Sequence, residues 1–347
     1  MHSYLEYCNI KILKKCLLSP NQLLYSVKMH ANILDLTENL YVFGVKVQEK
    51  HAHKKAKNMT IYNLGSINID HLYMLKRIPK PGETVSSIES LTNIGGKGLN
   101  ISVAAYRSGA DVRHIGIIGS ADKFVLDMIA DLGLDCALIS QIDTRTGHAI
   151  VYVDETSENS IVVHSGANFC FSDAQIRTAL SNARPNDWLI LQNETNANEI
   201  GISIAREKGM KIALVAAPFD SETMPEQIKK VDLVSMNKTE SELFEVVTGT
   251  SVDSLKNVDF LITYGADGAM FLADGVAQRI ASHKVRSVDT TGAGDTFFGV
   301  FMAHYTNGDC VETALKRANA AAALTVQRKG AASVVPNKKE IDTFLET

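Results

Sequence analysis

Val288-Asp-Thr-Thr-Gly-Ala-Gly-Asp-Thr-Phe-Phe-Gly299 runs from a strand end through a glycine turn into an apolar helix expected over Ala293 to Thr306. The backbone N–H groups of Gly292, Ala293 and Gly294 would point out of that helix N-terminus, where the helix dipole and unpaired donors favour an anion. Such a nest can hold charge developing on a group in transfer. Asp295, in the first turn, sits where a carboxylate can take a proton from an attacking hydroxyl. An aspartate there equally serves the helix dipole alone, and one G-x-G-D turn in isolation does not separate the two readings.

A second glycine turn, Asn93-Ile-Gly-Gly-Lys-Gly-Leu-Asn100, also opens a helix. It is not a Walker A loop, because Gly98 rather than Ser or Thr follows Lys97. Gly95, Gly96 and Gly98 would let a ligand approach the backbone, and Lys97 and Asn100 supply donors suited to hydroxyls. In Gly65-Ser-Ile-Asn-Ile-Asp70, Asn68 and Asp70 alternate onto one face, an amide beside a carboxylate as vicinal hydroxyls would require. A polar turn capping the next element fits that stretch as well. Asn237-Lys-Thr-Glu240 follows a strand at its carboxyl edge, where Asn237 or Thr239 fits a helix N-cap and Glu240 fits orientation of a hydrated magnesium ion.

Around these turns, apolar runs of strand length alternate with amphipathic helical segments from Met59 onward, which predicts an α/β fold with a mostly parallel sheet covered by helices. Strands are expected at Thr60 to Leu64, Val112 to Ile117, Trp188 to Gln192, Lys211 to Val215, Leu233 to Met236 and Phe260 to Thr263. Helices are expected at Gly98 to Ser108, Asn196 to Lys208 and Thr239 to Val247, and a hairpin at Ala269 to Ala273 and Val276 to Ile280. Glu83 to Thr92, Gly147 to Val153 and Ser160 to His164 break the alternation and suggest antiparallel strands outside the main sheet. Such a flap suits a site that must exclude water, and suits a peripheral hairpin equally.

The chain has 347 residues, 45% of them hydrophobic and 21% charged, with net charge -4. It can bury a large core, and no Lys/Arg-rich block interleaved with aromatics suggests a nucleic-acid partner. Its five cysteines are scattered without a C-x-x-C pair, so a reducing, cytoplasmic setting is expected. No apolar run nears the roughly 20 residues that span a bilayer. Residues 1–58 are lysine-rich and poor in glycine and read as an appendage of unknown role, either a weak targeting segment or an extension ahead of Met59.

Taken together, the G-G-K-G-x-N and D-T-x-G-A-G-D-x-F stretches resemble the two signatures of the ribokinase (PfkB) family of carbohydrate kinases, from about Tyr62 to the C-terminus. Gly65 to His71, Pro81-Gly-Glu-Thr84, His164-Ser-Gly-Ala-Asn168 and Gln327 to Ala331 extend the match to the family's ribokinase branch. The resemblance implies a three-layer α/β sandwich over residues 59–347 with a small β-lid, from about 72–92 and 147–164, that also forms a homodimer contact. It implies transfer of the γ-phosphoryl group of ATP to a primary hydroxyl, first of all that of ribose. The alternatives are fructose, deoxyribose, 2-keto-3-deoxygluconate, a nucleoside, or sugar binding without turnover.

Carried over residue by residue, Asp295 would be the base and Gly292, Ala293 and Gly294 the anion hole. Asn68, Asp70, Gly96, Lys97, Gly98, Asn100 and Glu194 would surround the sugar. Asn237, Thr263, Gly265, Gly268 and Asn319 would contact ATP, as would Gly294, and Glu240 would associate with Mg2+. Asp289, Thr291, Thr325, Arg328 and Gly330 match the surroundings of a potassium ion, with Ser333 displaced by one place. Two further departures are Gly119-Ser-Ala-Asp-Lys-Phe124, where relatives carry G-D-D, and Ala216-Ala-Pro218, where they carry Asn-Pro-Ala-Pro.

Overall fold

In the computed structural model the described residues are 59–156 and 158–346, with the backbone of an isolated antiparallel pair, Tyr41–Val42 and Val45–Lys46. The chain divides into two units, Met1–Lys57 and Asn58–Thr347, and all that follows concerns the second. The expectation for residues 1–58 lies outside the described residues apart from that strand pair.

The second unit is built on a nine-stranded sheet. Its strands are β1 (Thr60–Leu64), β4 (Asp111–Gly119), β5 (Ile139–Ile142), β8 (Trp188–Gln192), β9 (Lys211–Val215), β10 (Leu233–Asn237), β11 (Asp259–Thr263), β12 (Ala269–Ala273) and β13 (Val276–Ile280). They lie in the order β13-β12-β11-β10-β9-β8-β1-β4-β5, parallel except for the terminal pairs β11/β12 and β12/β13. The chain first steps outward from β1 to β4 and β5, then returns to the other side of β1 and steps through β8 to β11. The crevice where these directions part, at the carboxyl ends of β1 and β8, is where sheets of this kind bind ligands.

Alternation along each strand sends side chains to two cores. Ile61, Ile190, Ala213, Leu233 and Leu261 join one, while Tyr62, Leu189, Leu214, Val234 and Phe260 join the other. The first core is covered by α1 (Lys97–Arg107), α2 (Phe124–Asp131), α7 (Ala293–Thr306), α8 (Val311–Thr325) and α9 (Lys338–Leu345). The second is covered by α3 (Asp173–Ala179), α4 (Asn198–Glu207), α5 (Met224–Ile228) and α6 (Lys238–Thr248). This is the three-layer sandwich expected.

The out-of-pattern strands form a separate four-stranded sheet, β3-β2-β6-β7, from β2 (Asn68–Met74), β3 (Glu89–Gly95), β6 (Gly147–Val153) and β7 (Asn159–His164). It differs from expectation in three ways. Strand β2 begins at Asn68 rather than near residue 72, and it pairs parallel with β6 and antiparallel with β3. Residues 83–88 precede the strand that begins at Glu89 rather than belonging to it.

Helix α7 is buried from Asp295 to Ala303 and packs on both α8 and α1. Gly299 makes the approach to α1 possible: a Cβ there would lie 2.6 Å from both Ala104 Cβ and the Ile101 carbonyl oxygen. Gly299→Ala should therefore overpack the crossing and destabilise the fold by about 1–3 kcal/mol. Thermal denaturation should register a Tm several degrees lower, whereas Gly294→Ala, with no neighbour within 4 Å of its added Cβ, should leave Tm nearly unchanged. Equal melting of the two variants would contradict this account of the crossing.

Candidate active site

The two glycine turns, far apart in sequence, meet in space. Asn100 Nδ2 donates to Asp295 Oδ2 at 2.9 Å across 195 positions of sequence, and both residues are buried. Gly292, in the left-handed region at φ 70°, is the N-cap of α7, and the Ala293 N–H donates to the Thr290 carbonyl at 3.2 Å just ahead of the helix. The Asn100 Oδ1 atom is buried without a partner among the described residues, an acceptor held beside the Asp295 carboxylate.

The floor of the cleft is a polar lattice at the switch point. Glu194, just past β8, accepts from the Lys97 N–H at 3.1 Å and from the Ser66 hydroxyl. Ser66 Oγ in turn accepts from the Gly98 N–H at 3.2 Å. Gly98 has no room for a side chain, since a Cβ would come within 2.5 Å of the Gly65 and Ser66 backbone. Beneath it, Asn63 Nδ2 donates to the Gly98 carbonyl at 2.7 Å and to Ser102 Oγ at 2.8 Å, while Gln192 Nε2 donates to Asn63 Oδ1 at 2.6 Å. Asn193 is fixed by its own bonds to the Ala217 and Pro218 carbonyls.

Charge is concentrated here. Lys97 is held above the usual ammonium range, foremost by Asp295 and, after the opposing effect of burial, by Glu194 and Glu240. Burial raises Glu194, against the pull of its Ser66 bond and of Lys97. Asp70 is pushed up to about 7, chiefly by burial and then by the charge of Glu194. Burial also raises Glu240. Glu194, Glu240 and Asp295 thus share one ammonium, with Asp70 beside Glu194, an excess of carboxyl groups suited to taking in a cation along with an anionic ligand.

At the carboxyl edge of the sheet, Asn237 and Glu240 form a capping box on α6: Asn237 Oδ1 accepts from the Glu240 N–H at 2.9 Å and Glu240 Oε2 from the Asn237 N–H at 2.7 Å. Helix capping therefore engages one Glu240 oxygen. Thr263 ends β11 beside Asn237, and Gly265 and Gly268 bound the tight turn that follows, both at positive φ. Asn319, on α8, is buried and spends its amide on the Ala281 carbonyl at 2.7 Å.

Of the five residues matched to a potassium site, three are drawn together. Asp289 Oδ1 accepts from the Thr291 N–H at 2.9 Å and Oδ2 from the Gly330 N–H at 3.0 Å. The other two point their side chains elsewhere: Arg328 binds the Val334 carbonyl and Glu340, and the Thr325 hydroxyl binds the Ala321 carbonyl in its own helix. Among the described residues no group of three or more His, Cys, Asp or Glu side chains could hold a metal ion, and no helix is long and apolar enough to cross a membrane.

Sequence reading missed Ser66, Asn63 and Gln192 as parts of the site. Asn63 and Gln192 carry a retrospective signal, since each is an isolated polar residue in an otherwise apolar strand, and such a residue must find buried partners. It also treated Asp122 only as a departure. Asp122 Oδ2 accepts from both the N–H and the hydroxyl of Thr146, at 3.1 and 2.7 Å, and so pins the entry to lid strand β6.

The model of the pfkB family carbohydrate kinases matches residues 59–338. The ribokinase of Haemophilus influenzae is 35% identical over 305 residues, covering 84% of this chain and 99% of that protein. The solved ribokinase of Thermotoga maritima aligns with a TM-score of 0.74 at 28% identity, covering 83% of this chain and 100% of that one. Arabidopsis thaliana ribokinase, solved with ribose and ATP, gives 0.71 at 26% identity, covering 84% and 99%. A family model spanning residues 59–338, and relatives matched end to end, lead to one conclusion: the chain belongs to the pfkB family of carbohydrate kinases.

Proposed function

We propose that this kinase transfers the γ-phosphoryl group of ATP to the primary hydroxyl of D-ribose, giving ribose 5-phosphate. The observation that carries the reading is the Asn100–Asp295 hydrogen bond, which joins a hydroxyl-binding turn and a helix N-terminus in one cleft beside Lys97. The ribokinase relatives, and the ribose and ATP of the Arabidopsis structure, support the choice of substrates.

In this reading Asn68, Asp70, Lys97, Asn100 and Glu194, with the backbone of Gly96 and Gly98, grip the sugar. Asp295 accepts the proton of the attacking hydroxyl, and the amides of Gly292, Ala293 and Gly294 face the charge that builds on the phosphoryl oxygens. Asn237, Thr263, Gly265, Gly268 and Asn319 border the nucleotide. Positioning and charge stabilisation are the main demands of phosphoryl transfer, and each group serves one of them.

The surplus of carboxylates fits a magnesium ion entering with the nucleotide. Glu240 would hold it through the oxygen not used in the cap, by way of water, and the ion would neutralise phosphate charge. Asp289, with main-chain oxygens near Thr291, Thr325, Arg328 and Gly330, would hold potassium, whose charge would support the anion hole. Leu91, Ile161 and Val163, all more than 45% exposed, share the Asp70 face of the lid through strand register and support a homodimer through that sheet.

Asp295→Asn should lower kcat by about 10²–10⁴ while the KM for sugar holds. A coupled ADP-release assay over ribose, deoxyribose, fructose, 2-keto-3-deoxygluconate and nucleosides reads both this and the acceptor. Wild-type turnover in the variant would remove Asp295 as base, and preference for another acceptor would remove ribose.

Because the folded value of Asp70 lies above its ordinary 3.8, its contribution to stability is fully present below that value and lost as pH rises through about 7. Asp70→Asn should therefore raise the Tm of the ligand-free protein at pH 8, with the gain shrinking toward pH 5, while the KM for sugar rises. A pH-independent difference in Tm would refute the buried charge.

Ile161→Asp with Val163→Asp should convert the protein from dimer to monomer in light scattering. A monomeric wild type, or an unchanged dimer, would count against lid pairing.

A further inference from the structure

Asn68, at the start of lid strand β2, is buried, and its amide is held by Asn168 in the short turn Gly166–Phe169. Asn168 is 1% exposed and clasps the main chain of Ile67: its Oδ1 accepts from the Ile67 N–H at 3.0 Å and its Nδ2 donates to the Ile67 carbonyl at 3.2 Å. A peptide group has fixed polarity, so the clasp settles which end of Asn168 is oxygen and which is nitrogen; rotating the amide would lose both bonds. The same Nδ2 lies 2.8 Å from Asn68 Oδ1. The end of Asn68 turned toward Asn168 is therefore the oxygen, and the N–H2 end is left for other partners.

The pair is sealed in. A Cβ on Gly147, the lid residue in register with Asn68, would lie 2.2 Å from Asn168 Nδ2 and 2.5 Å from Asn68 Oδ1. Asn68 shares its face of β2 with Asp70, two residues on.

We infer that Asn168 is a specificity-determining positioning residue, which transmits the polarity of the Ile67 peptide to Asn68 so that Asn68 offers a hydrogen-bond donor to the substrate. A sugar hydroxyl both gives and accepts a proton. The proposed pocket offers acceptors at Asp70 and at the unpartnered Asn100 Oδ1, and its other side-chain donor is the freely rotating Lys97 ammonium. Asn68, oriented by Asn168, adds a neutral donor of fixed direction beside Asp70. The inference rests on the proposed reading of this cleft as the sugar site.

The test compares Asn168→Asp and Asn68→Asp with wild type, using kcat/KM for ribose, 2-deoxyribose and 3-deoxyribose. In Asn168→Asp the new carboxylate would keep the bond from the Ile67 N–H but has no donor for Asn68, whose amide would rotate and turn its oxygen to the sugar. In Asn68→Asp the carboxylate would keep the bond from Asn168 and likewise face the sugar with an acceptor. Both variants should raise the KM for ribose about tenfold with the KM for ATP unchanged, as loss of one buried hydrogen bond implies. Both should also reduce, by a similar factor, the wild-type penalty for the same deoxysugar. If Asn168→Asp keeps the wild-type deoxysugar profile while Asn68→Asp loses it, the positioning role is overturned and the sugar site stands. If Asn68→Asp leaves ribose KM and profile unchanged, Asn68 does not contact the sugar and the inference falls with that part of the reading. Should Asn168→Asp fail to fold, Asn68→Asp decides alone, a retained profile overturning the donor assignment.

Discussion

Everything at the site depends on two helix N-termini being brought within one hydrogen bond of each other. The α1/α7 crossing does this by removing side chains from its contact, at Gly299 against Ala104, while both helices are otherwise packed on apolar residues. The Asn100–Asp295 bond then joins the helix that opens at the Lys97 turn to the one that opens at the Gly292 turn. A buried amide facing a carboxylate is polarised in one direction only, so the geometry at the carboxylate has few ways to relax.

Beneath that bond the switch point of the sheet supplies rigidity. Gln192, Asn63 and Ser102 form a chain of buried polar groups that ends on His114, whose Nδ1 lies 2.8 Å from Ser102 Oγ. Complete burial lowers His114 to about 4, which keeps the imidazole neutral near pH 7 and avoids an uncompensated charge under the glycine turn. The Lys97 loop therefore rests on a hydrogen-bonded support rather than on apolar packing alone. Gly98 lies directly against the Gly65 and Ser66 backbone, which holds the glycine-rich turn firm.

Much of the fold was legible because it is written in local periodicity. β1, β8, β9, the β12/β13 hairpin and α7 have the boundaries their apolar patterns predict. The lid strand β2 was only half visible, because Gly65 to Asp70 fits both an alternating stretch and a polar turn when its partners, β3 and β6, lie elsewhere in the sequence. The glycine turns were visible as motifs, since glycine at a helix start carries its own conformational meaning. The pairings of Ser66, Asn63, Gln192 and Asn168 were not: a polar residue in an apolar strand or a motif can show that a partner is needed, but not which residue as much as 129 positions away supplies it. Tertiary pairing alone decides whether such a residue is a surface decoration or a strut.

The cleft draws on segments near residues 63–70, 95–100, 192–194 and 292–295, and that dispersal bears on biosynthesis. A ribosome would release the first three of these segments well before the helix bearing Asp295, so partial chains would expose the Ile101 to Ala104 stretch, which α7 packs against in the finished fold. Long loops must close before this pocket exists, a topology that favours slow maturation and a window for chaperone capture. Asp295 would thus be among the last parts of the cleft to arrive, and on the proposed reading an unfinished polypeptide could not spend nucleotide.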